Sequence, residues 1–235
     1  MKINPYPKPF IVIEGPDGCG KSTLIEGLEK WDKKNGIGAI FTKEPTDGKW
    51  GQMIRIILQN DGRDIMGDKI YPEDLQRLYI KDRLEHRQAE AAFLEKYSVF
   101  SDRDFPSTMA YGMAEGLESG WILEEHENIM GEYFFAPDLV IILDLPVEEA
   151  IKRIKKSRKE TDYFEKLEFL KRVREAYLSF PRLIQEIYPR VGMDIVIVDA
   201  MPSPAEILKN SLFWIDKCFQ EKLEATQYIK IFKKQ

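Results

Sequence analysis

The chain has 235 residues, 43% of them hydrophobic, and a formal net charge of −5. That size and composition fit one large globular domain with a substantial core, and the acidic balance argues against nucleic acid as the main partner, since binding it needs a basic face. No apolar run is long enough to span a bilayer, and two cysteines, Cys19 and Cys218, make no disulfide framework, so a reducing cytoplasm is the expected location.

Residues 1–9 read as a short proline-stiffened arm with no signal-peptide apolar region. Phe10–Glu14 is a buried strand that runs into a glycine-rich turn. Gly15, Gly20, Lys21 and Ser22 satisfy GxxxxGK(S/T), the phosphate-binding loop, with the strand before it and a helix over 21–35 after it. Glycines let backbone N–H groups turn inward around phosphate oxygens. The positive end of the following helix points at the same oxygens. Lys21 adds a point charge, and the Ser22 hydroxyl suits Mg²⁺. A second strand is expected at 39–42, then turn chemistry in KEPTDGK and a helix over 50–59. Asn60–Asp68 is a loop, and a long helix runs from Pro72 to about Lys96. A third strand, 99–101, ends at Asp102-Arg103; helices follow over 107–117 and 123–133. Leu139–Leu143 is a near-continuous apolar strand, as covered strands are. A helix over 147–157 turns strongly basic, 159–163 breaks it, and 165–187 is helical again. The last strand is 194–198 and the last helix 204–219, with a polar tail from 220 to 235.

Strands alternating with helices predict an α/β fold: a parallel five-stranded sheet flanked by helices, of the P-loop NTPase type. The domain spans 10–219, with a small basic segment at about 153–165. Ligands of such sheets sit at the carboxyl ends of the strands. Asp17, Lys43, Glu44, Asp102, Arg103, Asp144 and Asp199 all fall there; for Asp144 a capping or turn role is the favoured reading.

With these residues in order, the sequence resembles the thymidylate kinase family of nucleoside monophosphate kinases. The resemblance is carried by EGPDGCGKST, TKEP at Thr42–Pro45, LYIKDRLEH at Leu78–His86, DRDFPSTMAY at Asp102–Tyr111, PDLVIILDLP, RIKKSRKETDYFE and VDA. It implies transfer of the ATP γ-phosphate to dTMP, with ATP and dTMP as the small-molecule partners, Mg²⁺ as cofactor and a homodimer. The donor cradle would be Gly15, Asp17, Gly18, Cys19, Gly20, Lys21, Ser22 and Thr23, with Ser22 and Asp102 toward the metal. The segment after Asp199 would line the adenine site. For dTMP the resemblance implies Asp17, Lys43, Arg55 and Arg103 near the sugar and phosphate. It places Tyr79 stacked on the base, Arg83 on a base carbonyl, Ser107 and Thr108 at the base edge, and Tyr111 by the deoxyribose. Ser107, after Pro106, also suits a helix N-cap. Related chains often carry a cis proline in the position of Pro45.

Position 18 is Gly, so the loop offers only Lys21 as a side-chain cation. A basic lid is then expected to supply an arginine on closure, Arg158 first and Arg153 second, although such a run also suits a solvated helix end. Cys19 is open to either a lowered thiol pKa at the helix N-terminus or inert packing. Two alternatives remain. One is a P-loop kinase of another monophosphate or of a deoxynucleoside; the latter must deprotonate a 5′-hydroxyl and would need a carboxylate base, for which Glu44 is available. A nucleotide-binding regulator without transfer activity would not need Lys21, Ser22, Asp102 and Arg103 together.

Overall fold

The computed structural model describes residues 1–157 and 167–232. The first half runs β1 (Phe10–Glu14), α1 (Lys21–Asn35), β2 (Ile40–Lys43), α2 (Lys49–Gln59), α3 (Pro72–Leu94), β3 (Val99–Asp102) and α4 (Phe105–Ala114). The second runs α5 (Ser119–Met130), a 3₁₀ turn at Gly131–Tyr133, β4 (Leu139–Asp144), α6 (Val147–Ser157), α7 (Leu167–Ile187), β5 (Asp194–Asp199) and α8 (Pro204–Phe232). The five strands form one parallel sheet in the order β2-β3-β1-β4-β5.

Successive residues of a strand face opposite sides of the sheet, and this sorts the core into two layers. Phe10, Val12, Val140 and Ile142 pack with Ile80 of α3, Phe105 of α4 and Tyr177 of α7. Ile11, Ile13, Ile141 and Leu143 pack with Leu24 and Leu28 of α1 and Ile207 and Ile215 of α8. Both faces are covered, which is why β1 and β4 read as unbroken apolar runs. The register brings Ile13, Asp102 and Lys43 level on neighbouring strands, and Asp144 level with Asp199. The carboxyl edge of the sheet therefore gathers charge, as expected from the sequence.

Besides small shifts in helix ends, three details differ from the sequence reading. Helix α4 starts at Phe105 rather than Ser107, because Pro106 sits in the first turn, where its missing N–H costs nothing. Helix α8 continues through the segment read as a polar tail, to Phe232. Residues 1–9 do not stand off as an arm. Lys2 bridges to Phe135 beside the sheet, and its carbonyl accepts from the Ala136 N–H at 2.7 Å. Asp138 explains both of the last two. One carboxylate oxygen accepts from the Asn4 side chain at 2.6 Å and the Phe10 N–H at 2.8 Å. The other takes the Lys222 ammonium at 2.8 Å, which anchors the extension of α8.

Candidate active site

The loop between β1 and α1 is shaped by close approach. A side chain at Gly15 would stand 2.6 Å from the Leu143 carbonyl, and one at Gly18 2.6 Å from the Ala150 carbonyl. Gly15, Gly18 and Gly20 all have positive φ, a conformation glycine adopts without steric cost. The loop thus lies flat on the ends of β4 and α6. Lys21 is buried, and its ammonium donates to the carbonyls of Gly15 at 2.9 Å and Pro16 at 3.2 Å. Above the loop opens a cavity of about 490 Å³ lined by Lys21, Ser22, Thr23, Asp102, Arg103 and Arg153, with Asp17, Gly18 and Gly20. Asp102 presents a buried carboxylate oxygen with no partner among the described residues. With the Ser22 hydroxyl on the same wall, it forms a donor set of the hard oxygen type that Mg²⁺ takes. Cys19, Gly20, Thr23, Leu24 and Arg153 continue into a cavity of about 260 Å³ closed by Pro202, Pro204 and Ile207. This is the segment expected after Asp199. Asp199 itself is absent from that lining; its carboxylate accepts from the Met201 N–H at 2.9 Å and braces the turn.

Arg103 occupies the junction. It is a non-glycine residue with φ of +75°, held there by its N–H on the Ile13 carbonyl and by Ser101 Oγ on its own carbonyl. Such a conformation costs on the order of 1–3 kcal/mol and persists where the surroundings over-determine it. It carries the side chain away from the strand axis to meet Asp17, with which it forms a short ion pair. Tyr111 also donates to Asp17, at 3.0 Å.

Beneath Arg103 lies a carboxylate that the sequence reading did not single out. Glu14, at the end of β1, is fully buried. One oxygen accepts from the N–H groups of Asp104 (2.8 Å) and Ser107 (3.2 Å); the other accepts from Ser107 Oγ (2.6 Å) and Tyr177 Oη (2.8 Å). It caps α4 from another element, satisfying N–H groups that helix starts leave open. Burial pushes its carboxyl above the usual range, against the pull of Arg103 and these donors. Ser107 is therefore not the cap. Its proton goes to Glu14, while its oxygen accepts from Arg103 Nη1 at 2.9 Å, so the expected donation to a base edge is corrected. The signal was legible in principle: a carboxylate closing an all-apolar strand must find donors. Tyr177, far along the chain, was not legible.

A cavity of about 250 Å³ lies on the other side of Arg103, lined by Asp17, Pro45, Arg55, Leu58, Gln76, Tyr79, Arg103, Ser107, Thr108 and Tyr111. Of the residues expected around the acceptor, Asp17, Arg55, Tyr79, Arg103, Ser107, Thr108 and Tyr111 are brought together here. The Glu44–Pro45 peptide is cis, as expected. Arg55 is fixed by the carbonyls of Thr46 and Pro45, each at 2.8 Å. Asp82 pins the same turn through the Thr46 N–H at 2.7 Å and hydroxyl at 2.6 Å. Lys43 is exposed and lines none of the three cavities described.

Arg83 departs from its expected role. It is 1% exposed and does not line the cavity. Its Nε and Nη2 donate to Glu44 Oε2 at 2.9 and 2.7 Å, its Nε is 2.9 Å from Asp104, and its Nη1 donates to Thr108 Oγ1 at 2.9 Å. Nη1 also lies 2.8 Å from His126 Nε2. His126 Nδ1 is 2.7 Å from the Ile122 carbonyl, which can only accept, so Nδ1 carries the proton and Nε2 accepts from Arg83. Burial, then the Arg83 charge, lowers the His126 pKa to about 3 and keeps the ring neutral. Arg83 thus sits behind Thr108 and orients it. Glu44 is equally committed: besides Arg83 it faces His86 Nδ1 at 3.2 Å, and it lines neither cavity beside Arg103.

The remaining expectations resolve individually. Arg153 reaches the Ala200 carbonyl at 3.2 Å and lies over the loop between the 490 and 260 Å³ cavities. Arg158 and the rest of the expected lid, to residue 165, lie outside the described residues. Asp144 is taken by the Arg174 fork at 2.6 and 2.9 Å, a structural ion pair. Burial pushes the Cys19 thiol up rather than down, which favours inert packing.

The family model described as thymidylate kinase matches residues 13–208. A probable thymidylate kinase of Thermococcus gammatolerans is 40% identical over 182 residues, 76% of this chain and 85% of the relative. One from Thermococcus onnurineus is 38% identical over 84% of this chain and 92% of its own length. One from Methanococcus maripaludis is 37% identical over 80% and 85%. The chain belongs to the thymidylate kinase family.

Proposed function

We propose that this thymidylate kinase family member transfers the γ-phosphate of ATP to the 5′-phosphate of dTMP, giving dTDP. The observation that carries the reading is the shared wall: Asp17 and Arg103 line both the cavity over the phosphate-binding loop and the cavity holding Tyr79, Thr108 and Tyr111. Two anionic phosphates meeting there need positioning and fixed positive charge more than covalent chemistry. On the donor side the loop N–H groups, the α1 dipole and Lys21 bind and orient the triphosphate. On the acceptor side Arg103 and Arg55 offer guanidinium forks to the monophosphate. Asp17 and Tyr111 hold Arg103 in place. Tyr79 provides a ring face for the base, and burial keeps its hydroxyl protonated.

The unpartnered oxygen of Asp102, beside Ser22, fits a metal-holding role. Mg²⁺ bound there would neutralise phosphate charge as it is transferred. Arg153, over the loop, is the described arginine best placed to add charge on the donor side; Arg158 stays a proposal from the basic segment alone. A homodimer, a cytoplasmic location and the absence of nucleic-acid or membrane partners belong to the same reading, supported by the family and the acidic balance. Among the described residues no helix is long and apolar enough to cross a membrane. A deoxynucleoside kinase would need Glu44 as a free base, and its engagement by Arg83 and His86 counts against that. The test is ADP release with ATP and Mg²⁺ across dTMP, dUMP, dCMP, dGMP and thymidine, with dTMP expected to be fastest.

A further inference from the structure

Gln76 is the polar residue of the acceptor cavity that neither the motifs nor the resemblance called for. It stands on α3 one turn before Tyr79, is buried, and lines the cavity. Its Nε2 donates to Glu115 Oε2 at 3.0 Å, and its Oε1 has no hydrogen-bond partner among the described residues. A buried acceptor left unpaired costs roughly 1–3 kcal/mol, so a fold that keeps one at a ligand cavity reserves it for a donor. Gly112 makes the room. A side chain there would stand 3.4 Å from Gln76 Cγ and 2.8 Å from Ile122 Cδ1. Glu115 fixes the sense of the amide, because an ionised carboxylate accepts and cannot donate.

Thr108 supplies the complementary half. Its oxygen accepts from Arg83 Nη1 at 2.9 Å. Arg83 cannot accept in return, which leaves the Thr108 proton to donate. The cavity wall therefore pairs an oriented donor with an oriented acceptor. Thymine and uracil present a carbonyl oxygen next to an N3–H. Cytosine carries a bare lone pair at N3, which an acceptor repels.

Resting on the dTMP kinase reading, we propose that Gln76 is a specificity-determining residue whose amide oxygen accepts the N3–H of the pyrimidine, with Glu115 and Arg83 as positioning residues for Gln76 and Thr108. Selection against cytosine then comes from α3 and the end of α4 together. A site built to pair a polar group discriminates strongly against an analogue that leaves it unpaired.

The test compares wild type, Gln76→Met and Glu115→Gln with dTMP and dCMP, reading kcat/KM and the dissociation constant of each nucleotide. Met keeps the length of the side chain and removes the amide. The assay runs at about pH 8. Glu115, raised to about 7 mainly by burial and further by Glu73, is then largely ionised. Gln76→Met is expected to lose about tenfold on dTMP, the scale of one hydrogen bond, and to gain or hold on dCMP. The dTMP/dCMP ratio should therefore fall at least tenfold while the KM for ATP stays unchanged. Glu115→Gln, whose amide can pair in either sense, should narrow the same ratio, which loss of packing alone would not do. Melting curves on all three proteins identify a variant that fails to fold, and the other variant then decides. An unchanged ratio, or equal losses on both nucleotides, overturns the assignment while leaving the dTMP kinase reading intact. A wild type that turns over dTMP no faster than dCMP overturns both.

Discussion

Glu14 offers the sharpest test of how the site is held. Replacing it with Leu removes every acceptor it supplies. The Ser107 and Tyr177 hydroxyls, 2.9 Å apart, can pair with each other. The Ser107 N–H keeps the Asp104 carbonyl at 2.9 Å, but the Asp104 N–H, buried at the start of α4, loses its acceptor. One orphaned donor at roughly 1–3 kcal/mol gives about 2 kcal/mol of lost stability. For a domain of this size that is roughly 4–8 °C in Tm. Glu14→Gln is milder. Its carbonyl can face the two N–H groups and its amide the two hydroxyls, which can rotate to accept. The neutral side chain also sheds the burial cost that pushes the Glu14 carboxyl up. The expected loss is about 1 kcal/mol, of the order of one altered hydrogen bond. Urea unfolding at pH 7 monitored by circular dichroism measures both. Leu below Gln, and Gln slightly below wild type, is the expected order. A Glu14→Leu protein as stable as Glu14→Gln would refute the capping role, since a loss of about 2 kcal/mol is required.

Two further outcomes follow from the same geometry. His126 has a folded pKa of about 3 and an ordinary value of 6.5, so between those limits the unfolded chain binds the extra proton. Its contribution to stability is complete above pH 6.5 and is lost as pH falls toward 3, at up to about 1.4 kcal/mol per pH unit. Unfolding free energies of wild type and His126→Gln should therefore converge on acidification; parallel curves from pH 6.5 to 4 contradict a neutral buried ring. Lys21→Ala leaves the backbone cradle in place and removes the ammonium, so kcat should fall on the order of 10²-fold or more while the KM for dTMP changes little. Near-normal kcat in that variant would dissociate the loop from the chemistry.

The strands and the phosphate-binding loop were legible because their signals are local. Unbroken apolar runs between turns fix β1 and β4, and the glycines sit where a Cβ would strike the Leu143 and Ala150 carbonyls. Helix α3 shows what periodicity leaves open. Its spacing put Tyr79 and Arg83 on one face, correctly, yet Tyr79 lines the cavity and Arg83 lies buried behind Thr108. Asp82, Arg83, Arg87 and Glu90 are all almost fully buried. In sequence such charges read as a solvated face; they are inside because Thr46, Glu44, Asp104 and Thr42 meet them from other segments. Tyr177 and Gln76 were missed for the same reason, since their partners are set by packing between elements and not by spacing within one. Ser107 was misread because the acceptor that caps α4 comes from β1.

The central claim is that the cavities on either side of Arg103 hold two phosphates, not a phosphate and a hydroxyl. Single-turnover transfer from γ-labelled ATP, with enzyme in excess over dTMP or over thymidine, tests it most directly. Rapid appearance of label in dTDP, with little label on thymidine over the same interval, is the expected result. Faster labelling of thymidine than of dTMP would contradict it and return Glu44 to consideration as a base.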